Sequence, residues 1–281
     1  QLTYYADYRE LLQTNCDAVV IGSEYVHHAE LTIEAAKQGK HILCEKPLGL
    51  SLEEMQQMIQ VCREHSVQLM TAFPSRYFSA MVEAKEAIER GDIGEVLAIK
   101  GTNRGEMPGQ WFVDRSLSGG GAIMDHTVHI MDLMNWMLDV PVAEVYAEAD
   151  TLFYDLDVED AGLVHVKFKN GVNAVIDTSW SRTKSFPASF DVTMEIIGTK
   201  GNISVDALAQ YNEVYSDDVM KVQWSRWGDE IDKLLIHAFV DAIRSGREVP
   251  ITGEDGLKAT VVALAAYESL EKGRPVRMEE F

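Results

Sequence analysis

Two stretches of the sequence carry residues whose types and spacing suit acid–base chemistry. In the first, Glu45-Lys46-Pro47 directly follows the short apolar run His41–Cys44, which is typical of a buried parallel strand. Ligands of open α/β sheets bind beyond the carboxyl ends of the strands, so a lysine at this position is a candidate to face a ligand. A solvated lysine in an ordinary loop explains the position alone equally well.

The second stretch is the apolar segment that follows Gly119-Gly120-Gly121. If a helix begins near Gly121, then Asp125, His129 and Asp132 recur at i, i+4 and i+7 and share one face. A histidine flanked by carboxylates such as Asp125 on a buried helix can be oriented by them and tuned for proton transfer near neutral pH. The alternative, which the residues alone favour, is a core histidine with Asp125 as its structural hydrogen-bond partner.

Other chemistries fit the sequence less well. His126 and His129, with Asp125, offer ligands for a metal-dependent hydrolase or lyase, but their spacing matches neither HExxH nor a Cys/His cluster, so we expect no metal. The Gly119–Gly121 turn follows no strand, which argues against a phosphate-binding loop. His27-His28, after the first strand, would either touch a cofactor or be solvated.

The composition is that of an ordinary globular protein. The chain has 281 residues, of which 46% are hydrophobic and 25% charged, and a formal net charge of −20. This acidity argues against a nucleic-acid or anionic-membrane partner, and no apolar run is long enough for a membrane span. The three cysteines form no CxxC pair, which favours a reducing, cytoplasmic location.

The elements that must position these residues fall into two groups. In the first, apolar strands at 17–22, 41–44 and 67–73 alternate with helices, the second of which begins at a capping box of Ser51 and Glu54. This βαβαβ order predicts a parallel sheet with right-handed crossovers.

After Pro74 the pattern changes to helices and consecutive strands. We expect helices at 78–90, 122–138, 229–244 and 254–271, and strands at 95–101, 143–153, 161–168, 172–180, 190–197 and 202–206. Asn170-Gly171 predicts a hairpin with a type I′ turn. We therefore predict an α+β domain, in which residues 140–225 form one antiparallel sheet.

Taken together, these segments resemble the Gfo/Idh/MocA oxidoreductases. The segment CDAVVIGSEYVHHAELTIEAAKQGKHILCEKPLGLS is similar to the second part of that family's Rossmann domain, GGGAIMDHTVHIMDLMNWML to its Gly-rich turn and D-x-x-x-H helix, and FVDAIRSGREVPITGEDGLKATVVALAAYESLEKGRPV to its C-terminal segment. The resemblance implies an incomplete Rossmann dinucleotide-binding domain over residues 1–75. It also implies a substrate and oligomerisation domain with a large, mostly antiparallel sheet over residues 76–281.

The resemblance also implies an activity, which is the NAD- or NADP-dependent oxidation of a secondary alcohol on a sugar, polyol or similar small molecule. His129 would be the general base, with Lys46 stabilising the alkoxide, and a homo-oligomer would form through the antiparallel sheet. Lys46, Asp125 and His129 would line the place where nicotinamide and substrate meet. The residues implied along the cofactor are Ser23, His28, Glu45, Lys46 and Pro47.

The sequence departs from the family pattern in three places. The family's opening strand, GxGxxG turn and helix do not occur in it, so we expect the reading frame to extend upstream by about one βαβ unit. Glu24-Tyr25 stands where the family has Pro-Asn, and His126-Thr127 where it has a glycine after the aspartate. These departures leave open a non-catalytic binding or regulatory protein of the same fold.

Overall fold

The parallel half of the protein is a three-stranded sheet, seen in a computed structural model that describes residues 3–281. The strands pair in parallel in chain order, as β1 (Ala18–Ile21), β2 (His41–Cys44) and β3 (Leu69–Thr71). Helices α2 (His28–Lys37) and α3 (Leu52–Glu64) connect them. The predicted βαβαβ order is confirmed, so the carboxyl ends of the three strands share one edge.

Helix α3 shows how the local sequence sets the start of an element. The Ser51 hydroxyl accepts a hydrogen bond from the Glu54 amide at 3.2 Å and so caps the helix. The Glu54 carboxylate accepts from the Leu50 amide, at 3.3 Å, instead of the Ser51 amide, so only half of the predicted capping box forms. The apolar stripe of α3 packs into the core of the parallel half through Met55, Met58, Ile59 and Cys62.

The second half is built on a seven-stranded sheet. Its strands lie, from edge to edge, in the order β12 (Val276–Arg277), β5 (Val142–Asp150), β6 (Ala161–Phe168), β7 (Asn173–Asp177), β4 (Val96–Thr102), β8 (Thr193–Gly198) and β9 (Asn202–Asp206). Neighbours are antiparallel except β4 and β7, which run parallel. The predicted domain with a large, mostly antiparallel sheet is confirmed.

The prediction that residues 140–225 form one antiparallel sheet is wrong in two respects. Strand β4 precedes that range in the sequence, yet it inserts between β7 and β8. The chain after β9 leaves the sheet and forms a separate hairpin of β10 (Tyr211–Ser216) and β11 (Lys221–Arg226). Hydrophobic periodicity shows where strands lie, but it does not specify their partners, because pairing depends on how the connections cross the sheet.

The turn at Asn170-Gly171 joins β6 to β7, as predicted, but it is not a type I′ turn. Gly171 has a positive φ of +92°, whereas Asn170 does not have one. The Gly171 amide donates to the Phe168 carbonyl at 2.9 Å, and the Phe168 amide donates to the Val172 carbonyl at 2.9 Å. The connection is therefore a three-residue hairpin, in which a left-handed glycine closes a type I turn.

Two long helices cover one face of the seven-stranded sheet. Helices α6 (Ala122–Leu138) and α8 (Gly253–Lys272) pack against each other, with α8 on β5 and α6 on β6. Helix α8 also contacts α3 and β3, so it joins the two sheets. The remaining helices are α1 (Tyr8–Leu12), α4 (Ser79–Glu89), α5 (Arg115–Ser118) and α7 (Ile231–Ser245). Within residues 3–281, no helix combines the length and apolar character that crossing a bilayer requires.

Candidate active site

The end of strand β2 and the first turn of helix α6 meet at an ion pair. The Lys46 ammonium lies 2.6 Å from Oδ1 of Asp125 and 3.2 Å from the Asp125 carbonyl oxygen. The two side chains are only 14% and 11% exposed, so salt and water screen the pair weakly. The structure thus brings together two of the three residues that the family resemblance places at the reacting atoms.

Asp125 has polar partners on both carboxylate oxygens. Besides the Lys46 ammonium, Oδ1 accepts from the Tyr25 hydroxyl at 3.2 Å. The other oxygen, Oδ2, accepts from the Trp180 indole at 3.2 Å and lies 3.2 Å from Nε2 of His126. Burial would raise the pKa of the Asp125 carboxyl, but the Lys46 ammonium and His126 hold that pKa well below its usual range. Asp125 is therefore an ionised carboxylate of fixed orientation.

His129 lies one turn further along α6 and lines a cleft together with Lys46 and Asp125. Its Nδ1 atom is buried and has no hydrogen-bond partner within residues 3–281. Burial and the nearby Lys46 charge lower the pKa of His129 well below its ordinary value, which keeps the ring neutral.

Two interpretations of His129 from the sequence are corrected by this geometry. Asp125 neither orients His129 nor satisfies it as a core residue, because the side-chain contacts of Asp125 go to Lys46, Tyr25, Trp180 and His126. The pKa of the ring is also lowered well below its ordinary value and is not tuned to neutrality, because burial and a neighbouring cation both disfavour the protonated form.

Lys46, Asp125 and His129 line one cleft of about 380 Å³. This volume falls in the range of small-molecule sites. Hydroxyl, amide and carboxylate groups around such a cleft can recognise a ligand that is rich in hydroxyls. The further polar residues of the lining are Glu45, Ser75, Asn103, Glu106, His126, Ser189 and Asp232.

Asp132 lies two turns after Asp125 on α6, but it does not flank His129 in the cleft. Its two carboxylate oxygens accept hydrogen bonds from the Arg76 guanidinium, at 2.6 and 2.8 Å. Burial raises the pKa of Asp132 to about 6, although Arg76 acts in the opposite direction. Asp132 therefore ties the 3₁₀ turn Pro74–Tyr77 to α6.

The four further residues expected along the cofactor occupy different environments at the carboxyl edge of the parallel sheet. Glu45 is exposed and lines the cleft, Ser23 is half-buried and Pro47 is buried. His28 is fully buried, with Nδ1 2.9 Å from the Pro47 carbonyl oxygen and Nε2 3.2 Å from the Ser23 carbonyl oxygen. The His28 ring therefore ties together the loops after β1 and β2, and it is neither solvated nor open to a ligand.

The remaining motifs also have definite positions. A side chain at Gly120 would overlap the Tyr267 hydroxyl, and one at Gly121 would overlap the Glu159 carbonyl, so these glycines allow close packing at the start of α6. In the part of the chain that the structure describes, no three His, Cys, Asp or Glu side chains are grouped so as to hold a metal.

Models of known protein families match most of the chain. The model described as an oxidoreductase family with an NAD-binding Rossmann fold matches residues 1–73, and the model of the GFO/IDH/MocA C-terminal domain matches residues 81–204. The chain belongs to the Gfo/Idh/MocA family. It is therefore an oxidoreductase that uses a nicotinamide cofactor, NAD or NADP.

Relatives in the Gfo/Idh/MocA family resemble the chain over nearly its whole length. It is 34% identical to an uncharacterised oxidoreductase of Bacillus subtilis, over 98% of this chain and 82% of that protein. It is 32% identical to the myo-inositol 2-dehydrogenase of Thermotoga maritima, over 98% of this chain and 84% of that protein. The structure of scyllo-inositol dehydrogenase from Lactobacillus casei, with bound NAD(H) and scyllo-inositol, matches with a TM-score of 0.83 at 25% identity, over 96% of this chain and 83% of that one.

Sequence reasoning missed two residues that contact Asp125. Tyr25 belongs to the pair Glu24-Tyr25, which departs from the Gfo/Idh/MocA pattern, and that departure was the available signal. Trp180 follows strand β7 and belongs to no motif. It is 55 residues from Asp125 in the sequence, so only the fold brings its indole to the carboxylate.

Proposed function

We propose that this chain catalyses the reversible oxidation of a secondary alcohol on a sugar, cyclitol or related polyol, with NAD or NADP taking up the hydride. The observation that carries the proposal is the neutral imidazole of His129, whose Nδ1 has no partner within residues 3–281, beside the Lys46–Asp125 pair in a polar cleft. A base without a partner, next to a fixed cation, is the arrangement that removal of a hydroxyl proton needs.

His129 takes the proton of the substrate hydroxyl in this proposal. The imidazole must be neutral to accept a proton, and the lowered pKa of His129 provides that form at neutral pH. The Lys46 ammonium offsets the negative charge that develops on the substrate oxygen. Asp125 holds this ammonium at 2.6 Å, so the cation is in place before the substrate arrives.

The carboxyl edge of the parallel sheet fits a nicotinamide nucleotide. Gly22, which follows β1, is exposed, and a Cβ added there would meet no heavy atom within 4 Å, so a flat ligand can approach the backbone closely. His28 supports this edge, because its ring packs between the Pro47 and Ser23 carbonyl oxygens of the two loops and donates to one of them. We propose that the cofactor contacts Ser23, Glu45, Lys46 and Pro47.

The charge of the cleft favours an uncharged substrate. The carboxylates of Glu45, Glu106 and Asp232 line it, and Lys46, already paired with Asp125, is the one lysine or arginine among the described residues of the lining. A sugar acid or sugar phosphate would be repelled by this balance, whereas a neutral polyol would not. Myo-inositol and scyllo-inositol, which the names of two relatives specify, are neutral polyols.

We also propose a division of labour along the chain, in which residues 1–75 bind the cofactor and residues 76–281 supply the substrate side and the subunit contacts. The face of the seven-stranded sheet away from α6 and α8 exposes Leu163 and Ile197, which supports a homo-oligomer through this sheet. Size-exclusion chromatography with light scattering measures the mass of the protein in solution and so tests this homo-oligomer. All three cysteines are free, which supports a reducing, cytoplasmic location.

A binding titration and a substrate screen test the proposed function. Cofactor fluorescence is titrated with NAD and NADP, and reduction of each is followed with neutral cyclitols, aldoses, sugar acids and sugar phosphates. We expect cofactor binding and turnover of at least one neutral polyol, and much weaker turnover of the anionic compounds. Binding without turnover of any compound would favour the non-catalytic alternative, and preference for an anionic compound would contradict the charge argument.

A further inference from the structure

Tyr25 begins the 3₁₀ turn Tyr25–His27 in the loop after β1 and contacts both members of the Lys46–Asp125 pair. Its side chain is 4% exposed and is not part of the cleft lining that the structure describes. We propose that Tyr25 is a positioning residue, which fixes the Lys46–Asp125 pair through its hydroxyl and connects that pair to the aromatic side chains of the 103–118 loop. The inference rests on the proposed function, because it assigns Tyr25 a part in the same reaction without contact with the substrate.

The three polar groups form a closed triangle. Oδ1 of Asp125 accepts hydrogen bonds from the Lys46 ammonium at 2.6 Å and from the Tyr25 hydroxyl at 3.2 Å. The ammonium lies 3.5 Å from the Tyr25 hydroxyl oxygen. A lysine ammonium is a mobile charge on a four-carbon chain, and the neighbouring Glu45 carboxylate also attracts it. The phenol stabilises one position of the ammonium, and the ring adds a cation–π contact at 5.8 Å.

Aromatic packing fixes the position of the Tyr25 ring. Its edge-to-face contacts are with Trp111, at a centroid distance of 4.7 Å, and with Phe112, at 5.9 Å. Trp111 and Phe112 stack on each other at 3.8 Å within the 3₁₀ turn Gln110–Val113, and the His28 ring contacts Tyr25 from another side. Such contacts hold a ring in a defined orientation. The 103–118 loop therefore contributes to where the Tyr25 hydroxyl lies.

The chemistry of Tyr25 suits a constant hydrogen-bond donor. Burial, reinforced by the Asp125 charge, raises the pKa of the Tyr25 phenol well above its ordinary value. The hydroxyl therefore stays protonated around neutral pH, where it donates to Asp125.

Tyr25→Phe removes the hydroxyl and keeps the ring. We expect kcat for polyol oxidation to fall about tenfold, because misplacing a catalytic group by a fraction of an ångström has an effect of this size. The KM for the polyol and the Kd for the cofactor should change little, because Tyr25 is not part of the cleft lining. Tyr215→Phe in the separate hairpin is the matched control, since it removes an exposed tyrosine hydroxyl that contacts Glu213 and not the pair.

A second readout does not depend on activity. Limited acetylation with acetic anhydride, quantified by mass spectrometry, reports how firmly the Lys46 ammonium is held, with the exposed Lys169 as internal reference. We expect acetylation of Lys46 to be slow in the unmodified protein and several-fold faster in Tyr25→Phe. Trp111→Leu, which releases the ring, should have the same effect, and combining it with Tyr25→Phe should add nothing further.

The outcomes separate this inference from the proposed function. If the unmodified protein oxidises no polyol, the proposed function fails, while the acetylation of Lys46 still tests Tyr25. Unchanged acetylation of Lys46 in a folded Tyr25→Phe protein overturns the inference, whatever the value of kcat. An equal rise in Tyr215→Phe overturns it too. A further rise when Trp111→Leu is added to Tyr25→Phe would show that the loop does not act through the hydroxyl.

Discussion

The Arg76 guanidinium holds both carboxylate oxygens of Asp132, at 2.6 and 2.8 Å, in the interior of the protein. The same guanidinium lies 3.4 Å from Asp255, whose carboxylate belongs to the capping box at the start of α8. One cation therefore links three elements, which are the 3₁₀ turn after β3, helix α6 and helix α8. The 3₁₀ turn and helix α6 line the cleft, and helix α8 packs against α6.

Arg76→Met should destabilise the protein by about 3–5 kcal/mol, because it leaves the Asp132 carboxylate buried without a partner. Urea unfolding followed by circular dichroism measures this change. Lys233→Met is the control, since it breaks an exposed pair with Glu230 and should leave the unfolding free energy nearly unchanged. The double variant Arg76→Met/Asp132→Leu should recover most of the loss. A double variant as unstable as Arg76→Met alone would contradict the assignment of the loss to an unpaired charge.

His129→Asn should lower kcat by about 10²–10⁴, the usual contribution of a general base, with the Kd for the cofactor nearly unchanged. Steady-state kinetics and a fluorescence titration measure the two quantities. His65→Asn, at the end of α3, is the matched control and should keep full activity. A folded His129→Asn protein with near-normal turnover would exclude the proposed base.

The pH dependence of oxidation follows from the lowered pKa of His129. Because the neutral ring is the base, kcat should be flat across neutrality and fall only as the pH drops through a value well below 6.5. The same shift makes the unfolded state bind the proton more readily, so stability should also decline as the pH falls below about 6.5. Rate profiles and thermal unfolding from pH 4 to 9, roughly, check both. A rise in kcat with pH through neutrality that is absent in His129→Asn would contradict this prediction.

Gly171→Val should destabilise the protein by about 1 kcal/mol or more, because a β-branched side chain is penalised at a φ of +92°. Thermal unfolding measures the loss. Asn173→Val, two residues on in strand β7, places the same side chain at an ordinary strand position and serves as control. Equal effects of the two substitutions would mean that the turn geometry is not what matters.

The sequence predicted the elements well because their signals are local. His41–Cys44 was predicted as a strand and is β2, and the helix predicted over 122–138 is α6. Both are apolar segments that follow glycine, which marks their start: Gly39-Lys40 precedes the strand and Gly119–Gly121 precedes the helix. The insertion of β4 between β7 and β8 was not predictable, because nothing in residues 96–102 specifies which edges they pair with.

The candidate site was predictable in part for the same reason. Lys46 follows a strand end and Asp125 recurs on one helix face with His129, so local signals marked each residue. Their meeting was implied by the family resemblance, and the two side chains lie 2.6 Å apart. The partners of Asp125 were not predictable. Tyr25, 100 residues away, reaches it through the packing of its ring, and sequence spacing contains no information about such contacts.

The glycine-rich start of α6 has an electrostatic consequence. Its first backbone amides are all occupied by the protein itself, because they donate to the Glu159 carboxylate, the Glu159 carbonyl or the Tyr267 hydroxyl. These amides are Gly121, Ala122, Ile123 and Met124. The positive end of this helix dipole is thereby neutralised by an internal anion. These four amides are therefore not free to bind a diphosphate. The glycine-rich segment, although it looks most like a nucleotide-binding loop, is not built to bind the phosphates of a nucleotide.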